Sequence, residues 1–232
     1  MPMRPTISPL AGWPRTRARN DRRGKLIFAI TPRVLTPGRA RLADKVHSLL
    51  SVLLAIRCIF AFFNLPDPGL REFLEVTALY AIGHVVLRVV IEAALRTKTE
   101  IIMTNEVLSV RHWWNRREYD RALIKGFALL HHDEAEAERF NQEFERAKAA
   151  SQGKVIQPTP YYMQSYHVVA SFGGQRLDLV SVYGQKEAAA IAARLQLCHL
   201  LLDEAAGVKG RSGVSATPDR EWQGAPGGLR HE

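Results

Sequence analysis

The sequence predicts an α+β protein in which an N-terminal helical hairpin of membrane-spanning character precedes a small antiparallel sheet domain closed by a C-terminal amphipathic helix. Three observations predict it. Residues 46–63 and 73–95 are the two most apolar stretches of the chain, and a loop containing "NLPDPGLRE" separates them. From Thr99 onward, apolar residues alternate with period two over several short runs. Near the end, Ala188, Ile191, Leu195, Cys198 and Leu202 step by three and four, which puts them on one face of a helix.

The chain begins with a basic segment. The net charge is +9, and residues 1–45 carry all of it, with eleven Arg or Lys against Asp21 and Asp44. The remaining residues hold 21 of each sign and balance. The segment also holds six prolines (2, 5, 9, 14, 32 and 37) and no apolar period, so residues 1–43 are expected to be a disordered arm.

The hairpin follows, over 44–98. Val46–Phe63 contains eleven Leu, Ile, Val or Phe residues around a single central Arg57. Each apolar residue favours insertion by about 0.3–0.6 kcal/mol and a central arginine opposes it by about 3, so the balance leans toward insertion. Phe73–Leu95 is 23 residues long, about 34 Å as a helix and enough for a tilted crossing. It carries Glu75 near one end, and His84, Arg88 and Glu92 at four-residue spacing on one face. Pro66, Pro68 and Gly69 break the chain between the two segments and make them antiparallel neighbours.

In such a hairpin Arg57 is expected near Glu75 or Tyr80, and Lys45 near Glu92, because charges inside a bilayer pair or line a path. Two helices supply too few polar groups for an ion path, which would require a homo-oligomer. Cations lie before the first segment and after the second, at Arg96 and Lys98, while the loop region between has Arg71 alone. That bias predicts both termini on the cytoplasmic side. The competing expectation, a helical hairpin buried in a soluble core, is favoured by the charges of the second segment.

Residues 99–206 are expected to form the sheet domain. "TEIIMT" and "VLSVRH" read as strands joined at Asn105-Glu106, "WWNRR" as a second turn, and "EYDRALIKGFALLHH" as one or two strands broken near Gly126. Residues 133–150 read as a helix with Ala137, Phe140, Phe144 and Ala147 in a stripe. Acidic residues at its start and cations near its end suit the helix dipole. "YYMQSYHVVASF" and "QRLDLVSVY" form a hairpin across Gly173-Gly174. The closing helix stops at Gly207, and 207–232 read as a disordered tail.

Little in the sequence points to catalysis. It has no nucleophile elbow, no phosphate-binding loop and no dinucleotide fingerprint. Asp120, Asp178 and Asp203 fall in separate elements, so no acid–base pair is marked. In "HHDE", 131–134, the adjacent His131 and His132 point to opposite faces of a strand and do not converge on one ion. Cys58 and Cys198 read as buried thiols. The expectation is therefore a protein that is not an enzyme and needs no cofactor or metal. Trp113, Trp114, Arg116 and Arg117 are the candidate contact residues. Aromatic rings with cations suit a lipid headgroup layer, and equally a protein-binding edge. The alternative function is nucleic-acid association through the basic arm, which has only Trp13 and Phe28 as aromatic residues for stacking.

Taken together, a two-helix hairpin, short antiparallel strands and one closing amphipathic helix over roughly residues 44–206 resemble the bacterial membrane proteins that carry a pleckstrin-homology-like cytoplasmic domain. The helix at 133–150 is an insertion relative to their simplest form. The resemblance implies residence in a bacterial inner membrane and a binding or scaffolding role, with a protein partner of unknown identity or the lipid surface as its target. Some such domains bind phosphoinositides through basic residues in the first hairpin turn. Here that turn is Thr104-Asn105-Glu106, without a cation, and the role does not carry over.

Overall fold

A computed structural model describes residues 10–21, 24–66, 68–112 and 115–207. The protein is α+β. Three strands open it, β1 (Arg15–Asn20), β2 (Leu26–Thr31) and β3 (Arg33–Val34), followed by the helices α1 (Pro37–Phe63) and α2 (Leu70–Leu95). Then come β4 (Thr97–Met103), β5 (Val107–His112), β6 (Asn115–Asp120), a single 3-10 turn at Arg121–Leu123, and β7 (Ile124–His131). Helix α3 (Ala135–Ser151), strands β8 (Ser165–Phe172) and β9 (Gln175–Tyr183), and helix α4 (Gln185–Ala205) complete the described chain.

All strand pairs are antiparallel. One sheet runs β1-β2-β4-β5-β6, with β3 also paired to β4, and the other runs β7-β8-β9. Period-two alternation gives the first sheet an apolar inner face, where Phe28, Ile30, Ile101, Met103, Leu108 and Val110 are buried. They share one core with Val168, Ala170, Leu179, Val182 and the α4 stripe. Ala188, Ile191, Leu195, Cys198 and Leu202 of that stripe are all fully buried, and α4 packs on β7, β8, β9 and β2. Gly207, at φ +68°, stands just past the α4 C-terminus, in the left-handed conformation that ends helices. The β8–β9 turn likewise uses Gly173 and Gly174 at φ +57° and +86°, the double positive φ of a two-residue hairpin turn.

The first correction to the sequence reading concerns the basic arm. Residues 15–20, 26–31 and 33–34 are strands of the sheet, and α1 begins at Pro37 rather than at residue 44. The domain is therefore not confined to 99–206; the hairpin is inserted between β3 and β4. Composition misleads here because β1 has almost no apolar residues of its own. It is held by a six-residue register with β2, from Arg15↔Thr31 to Asn20↔Leu26, and β2 in turn pairs with β4. Arg194, buried on α4, also donates to the Leu10 and Ala11 carbonyls, at 2.5 and 2.9 Å, and to Thr16 Oγ1 at 3.1 Å. Pro37 sits in the first turn of α1, where its missing N–H costs nothing. Residues 1–9 of the expected arm and 208–232 of the expected tail lie outside the described residues.

The turn expected over 113–117 is shorter, since Asn115 already pairs with His112, Arg116 with Arg111, and Arg117 with Val110. On α3 the apolar stripe faces outward, with Phe140 71 % and Phe144 61 % exposed, while Gln142 and Ala149 are buried. The α3 side turned to the protein is polar because Glu138 accepts from the Tyr161 and Met163 backbone N–H groups, at 3.0 and 2.8 Å.

Helices α1 and α2 pack as an antiparallel pair, and both are long and apolar enough to cross a membrane. Only 11 % and 6 % of their most apolar windows are buried. A core helix of a soluble protein would be mostly covered. Here Leu49, Val52, Leu53, Ile59, Phe60, Leu79, Ile82, Val86 and Val89 stand exposed.

Candidate functional site at the root of the helical hairpin

Antiparallel pairing of β3 with β4 (Arg33↔Lys98, Val34↔Thr97) brings the two roots of the hairpin side by side. Arg39 donates to the Leu95 carbonyl at 3.1 Å, tying the first turn of α1 to the end of α2. Arg96 makes a two-pronged contact with Glu187 of α4, at 2.8 and 3.2 Å, and reaches the Arg33 carbonyl at 3.1 Å. Tyr161 donates to Asp44 Oδ2 at 2.7 Å, and the Tyr183 backbone N–H donates to the Leu35 carbonyl at 2.7 Å. Burial and the neighbouring Asp44 carboxylate push the Tyr161 phenol up to about 12. Tyr183 is raised for the same two reasons in the same order. Both phenols therefore stay neutral donors at physiological pH.

Inside the hairpin the polar residues form a ladder. His84 lies against α1, with its Nδ1 3.0 Å from Ser51 Oγ. His47 stands edge-on to it, ring centroids 4.4 Å apart, and its Nε2 is 3.2 Å from the His84 carbonyl. A carbonyl only accepts, so that Nε2 carries the proton. Ser51, buried, bridges the two rings. Arg88 and Glu92 pair one turn further along, at 3.0 Å.

Among the described residues the expected cross-helix ion pairs do not form. Glu75 closes on Arg71 at 3.0 Å and Glu92 on Arg88, both within α2. Four-residue spacing holds such partners together whatever the neighbouring helix does. Arg57 is exposed on α1 and joins no ion pair among the described residues. His47, Ser51, Asp44, Tyr161 and Tyr183 are the site residues that sequence reasoning missed. The spacing of His47 and Ser51, one turn apart, was the available signal.

Of the turn residues, Arg116 donates to Ser109 Oγ at 3.0 Å and pairs with Glu118 at 2.6 Å. Arg117 is exposed on β6. Trp113 and Trp114 lie outside the described residues, but the flanking His112 is paired with Thr99, two residues after the hairpin root at Thr97. His112 also reaches the Leu179 carbonyl through Nε2 at 2.8 Å.

At "HHDE" the two histidines diverge. His131 lies against Tyr166, and His132 stacks on His167 with ring centroids 4.3 Å apart. Asp133 is clamped by Arg176 at 2.7 and 3.1 Å, which lowers its carboxyl below the usual range. Among the described residues no group of three or more His, Cys, Asp or Glu is arranged to hold a metal ion. Both cysteines are free and buried, and burial pushes the Cys198 thiol up to about 11. No known protein family, curated protein or solved structure matches the chain.

Proposed function

We propose that this chain is a non-catalytic protein of a bacterial inner membrane. Its hairpin crosses the bilayer with both termini cytoplasmic, and its pleckstrin-homology-like domain, held at the surface, binds a protein partner or the lipid surface within a larger assembly. The observation that carries this reading is the insertion of two long, outward-facing apolar helices between β3 and β4. Exposed apolar area on that scale is tolerated in lipid and costly in water. The placement of the domain at one end of the hairpin supports it, since Arg33, Arg39, Arg41, Lys45, Arg96 and Lys98 all belong to that end. The strands closed by α4 support the pleckstrin-homology-like reading of the domain, with α3 as the insertion.

Alkaline carbonate washing should leave the chain in the membrane pellet, and an alkaline phosphatase reporter fused at Pro68 should be active outside the cytoplasm. Release by carbonate, or a phosphatase fusion that stays inactive because it is held in the reducing cytoplasm, overturns the reading. Nucleic-acid association is the second reading, and one observation favours it: Arg15, Arg17 and Arg19 are displayed on one face of β1. Replacing all three with Glu should abolish salt-dependent DNA or RNA binding if that reading holds.

A further inference from the structure

We infer that the outer face of the first sheet is a binding surface for the phosphate headgroups of anionic lipid. The inference rests on the membrane reading above. Phe28, Ile30, Ile101, Met103, Leu108 and Val110 fix the inner face by their burial. The opposite side of the same strands is fixed by register. Arg15 lies across from Thr31, Arg17 from Ala29 and Arg19 from Ile27, so all three arginines point away from the core. Arg33 pairs across from Lys98, and Arg111 across from Glu100 and Arg116. Arg15, Arg17, Arg19, Arg33 and Lys98 line one open groove of about 750 Å³, with Trp13 at its side and Glu100 on the same strand as Lys98.

Glu100, which faces Arg111, is a single carboxylate against this charge and offsets little of it. Arg116 pairs with Glu118, but among the described residues no ion pair reaches Arg15, Arg17, Arg19, Arg33, Lys98 or Arg111. Like charges directly opposite one another, as at Arg33↔Lys98 and Arg111↔Arg116, destabilise a sheet. Edge protection alone does not account for them. Charges that guard an edge sit on the edge strand, whereas these continue inward through β4 and β5. An anionic partner removes the penalty.

Position selects lipid over nucleic acid. Arg33 is four residues before the start of α1 and Lys98 three after the end of α2, so the groove begins at the hairpin root. From Pro37 to the apolar Val46 is about 14 Å of helix. That length matches one headgroup layer of roughly 5–8 Å plus a Debye length of about 8 Å. A single-strand nucleic-acid groove would interleave aromatic platforms with its cations; among the described groove-lining residues only Trp13 is aromatic.

The test uses the full chain in nanodiscs of phosphatidylcholine, with or without about 30 % phosphatidylglycerol, read by amide hydrogen exchange. Exchange over 15–20, 26–33 and 97–100 should slow roughly tenfold in the anionic discs. About 0.5 M salt, where the Debye length falls below about 5 Å, should reverse the slowing, and so should Arg15→Glu/Arg17→Glu/Arg19→Glu. Equal exchange of the unmodified chain in both discs overturns the inference and leaves the membrane reading standing. Protection by a single-stranded oligonucleotide but not by phosphatidylglycerol overturns it in favour of nucleic acid. A chain that stays soluble without discs or detergent removes the membrane reading, and this inference with it.

Discussion

Arg121 is the side chain on which the joint between the sheet and α4 turns. It is 5 % exposed, and it donates to the Asn105 carbonyl at 3.2 Å, to His199 Nδ1 at 3.2 Å, to the His199 carbonyl at 2.9 Å and to Asp203. A buried guanidinium is tolerated when its donors are matched this fully, and removing one partner strands the other. Arg121→Met should therefore cost about 3–5 kcal/mol, read as a lowered denaturant midpoint in detergent, and adding Asp203→Leu should recover much of that loss. His167 gives the second residue-scale prediction. Burial, then the neighbouring His132, holds its imidazole below the ordinary value, with Asp178 and Asp133 pulling the other way. The unfolded chain thus takes up a proton near pH 6.5 that the folded chain still refuses. Stability falls as pH drops below about 6.5 and stops falling, for this group, once the depressed folded value is passed. His167→Gln should flatten that limb, and a melting temperature that drops equally between pH 7 and 5.5 in both proteins would contradict it.

The hairpin works as an element because its two helices meet closely at one place. A Cβ built on Gly83 would stand 2.9 Å from Leu54 Cδ2, so the glycine lets the helices approach there. Alanine is accommodated by rotation of the leucine tip, but Gly83→Leu has to separate the helices. Spin labels at the exposed Ile56 and Ile82 should then give a longer and broader distance distribution, while the same labels with Gly83→Ala should not. The ladder of His47, Ser51 and His84 lies near the middle of the hairpin, beside Gly83, so separation at Gly83 also loosens the bridge at Ser51. Helix α3 teaches the reverse lesson. Its stripe of Phe140 and Phe144 has helical spacing, and spacing alone says that the residues share a face without saying what that face meets.

At the scale of the molecule, what was legible in the sequence was what local pattern encodes. The apolar pair of segments, the Gly173-Gly174 turn and the α4 stripe each depend on residues within one or two turns of each other. What was not legible depends on pairing across long gaps. Arg194 contacts Leu10 and Ala11 over more than 180 positions, and β2 meets β4 only because the hairpin between them folds out of the way. A strand such as "RTRARN" carries no apolar signal, so its charge was read as disorder. The same topology sets the last prediction. Val34 and Thr97 are direct cross-strand partners, so the ends left by excising the hairpin lie close enough for a short turn. A chain joining Leu35 to Arg96 through about four Gly and Ser residues keeps every strand and the whole of the main core cluster, and loses the exposed apolar helices. It should dissolve without detergent and melt cooperatively. By contrast, removing residues 1–34 strips Phe28, Ile30 and Val34 from the core and bares the β2 side of β4. Burial of roughly 1.5–3 kcal/mol for each such side chain is then lost, and that chain should fail to fold. If instead the truncated chain melts as the intact one does and the excised chain aggregates, the strands before the hairpin are not part of the domain, and the insertion topology is wrong.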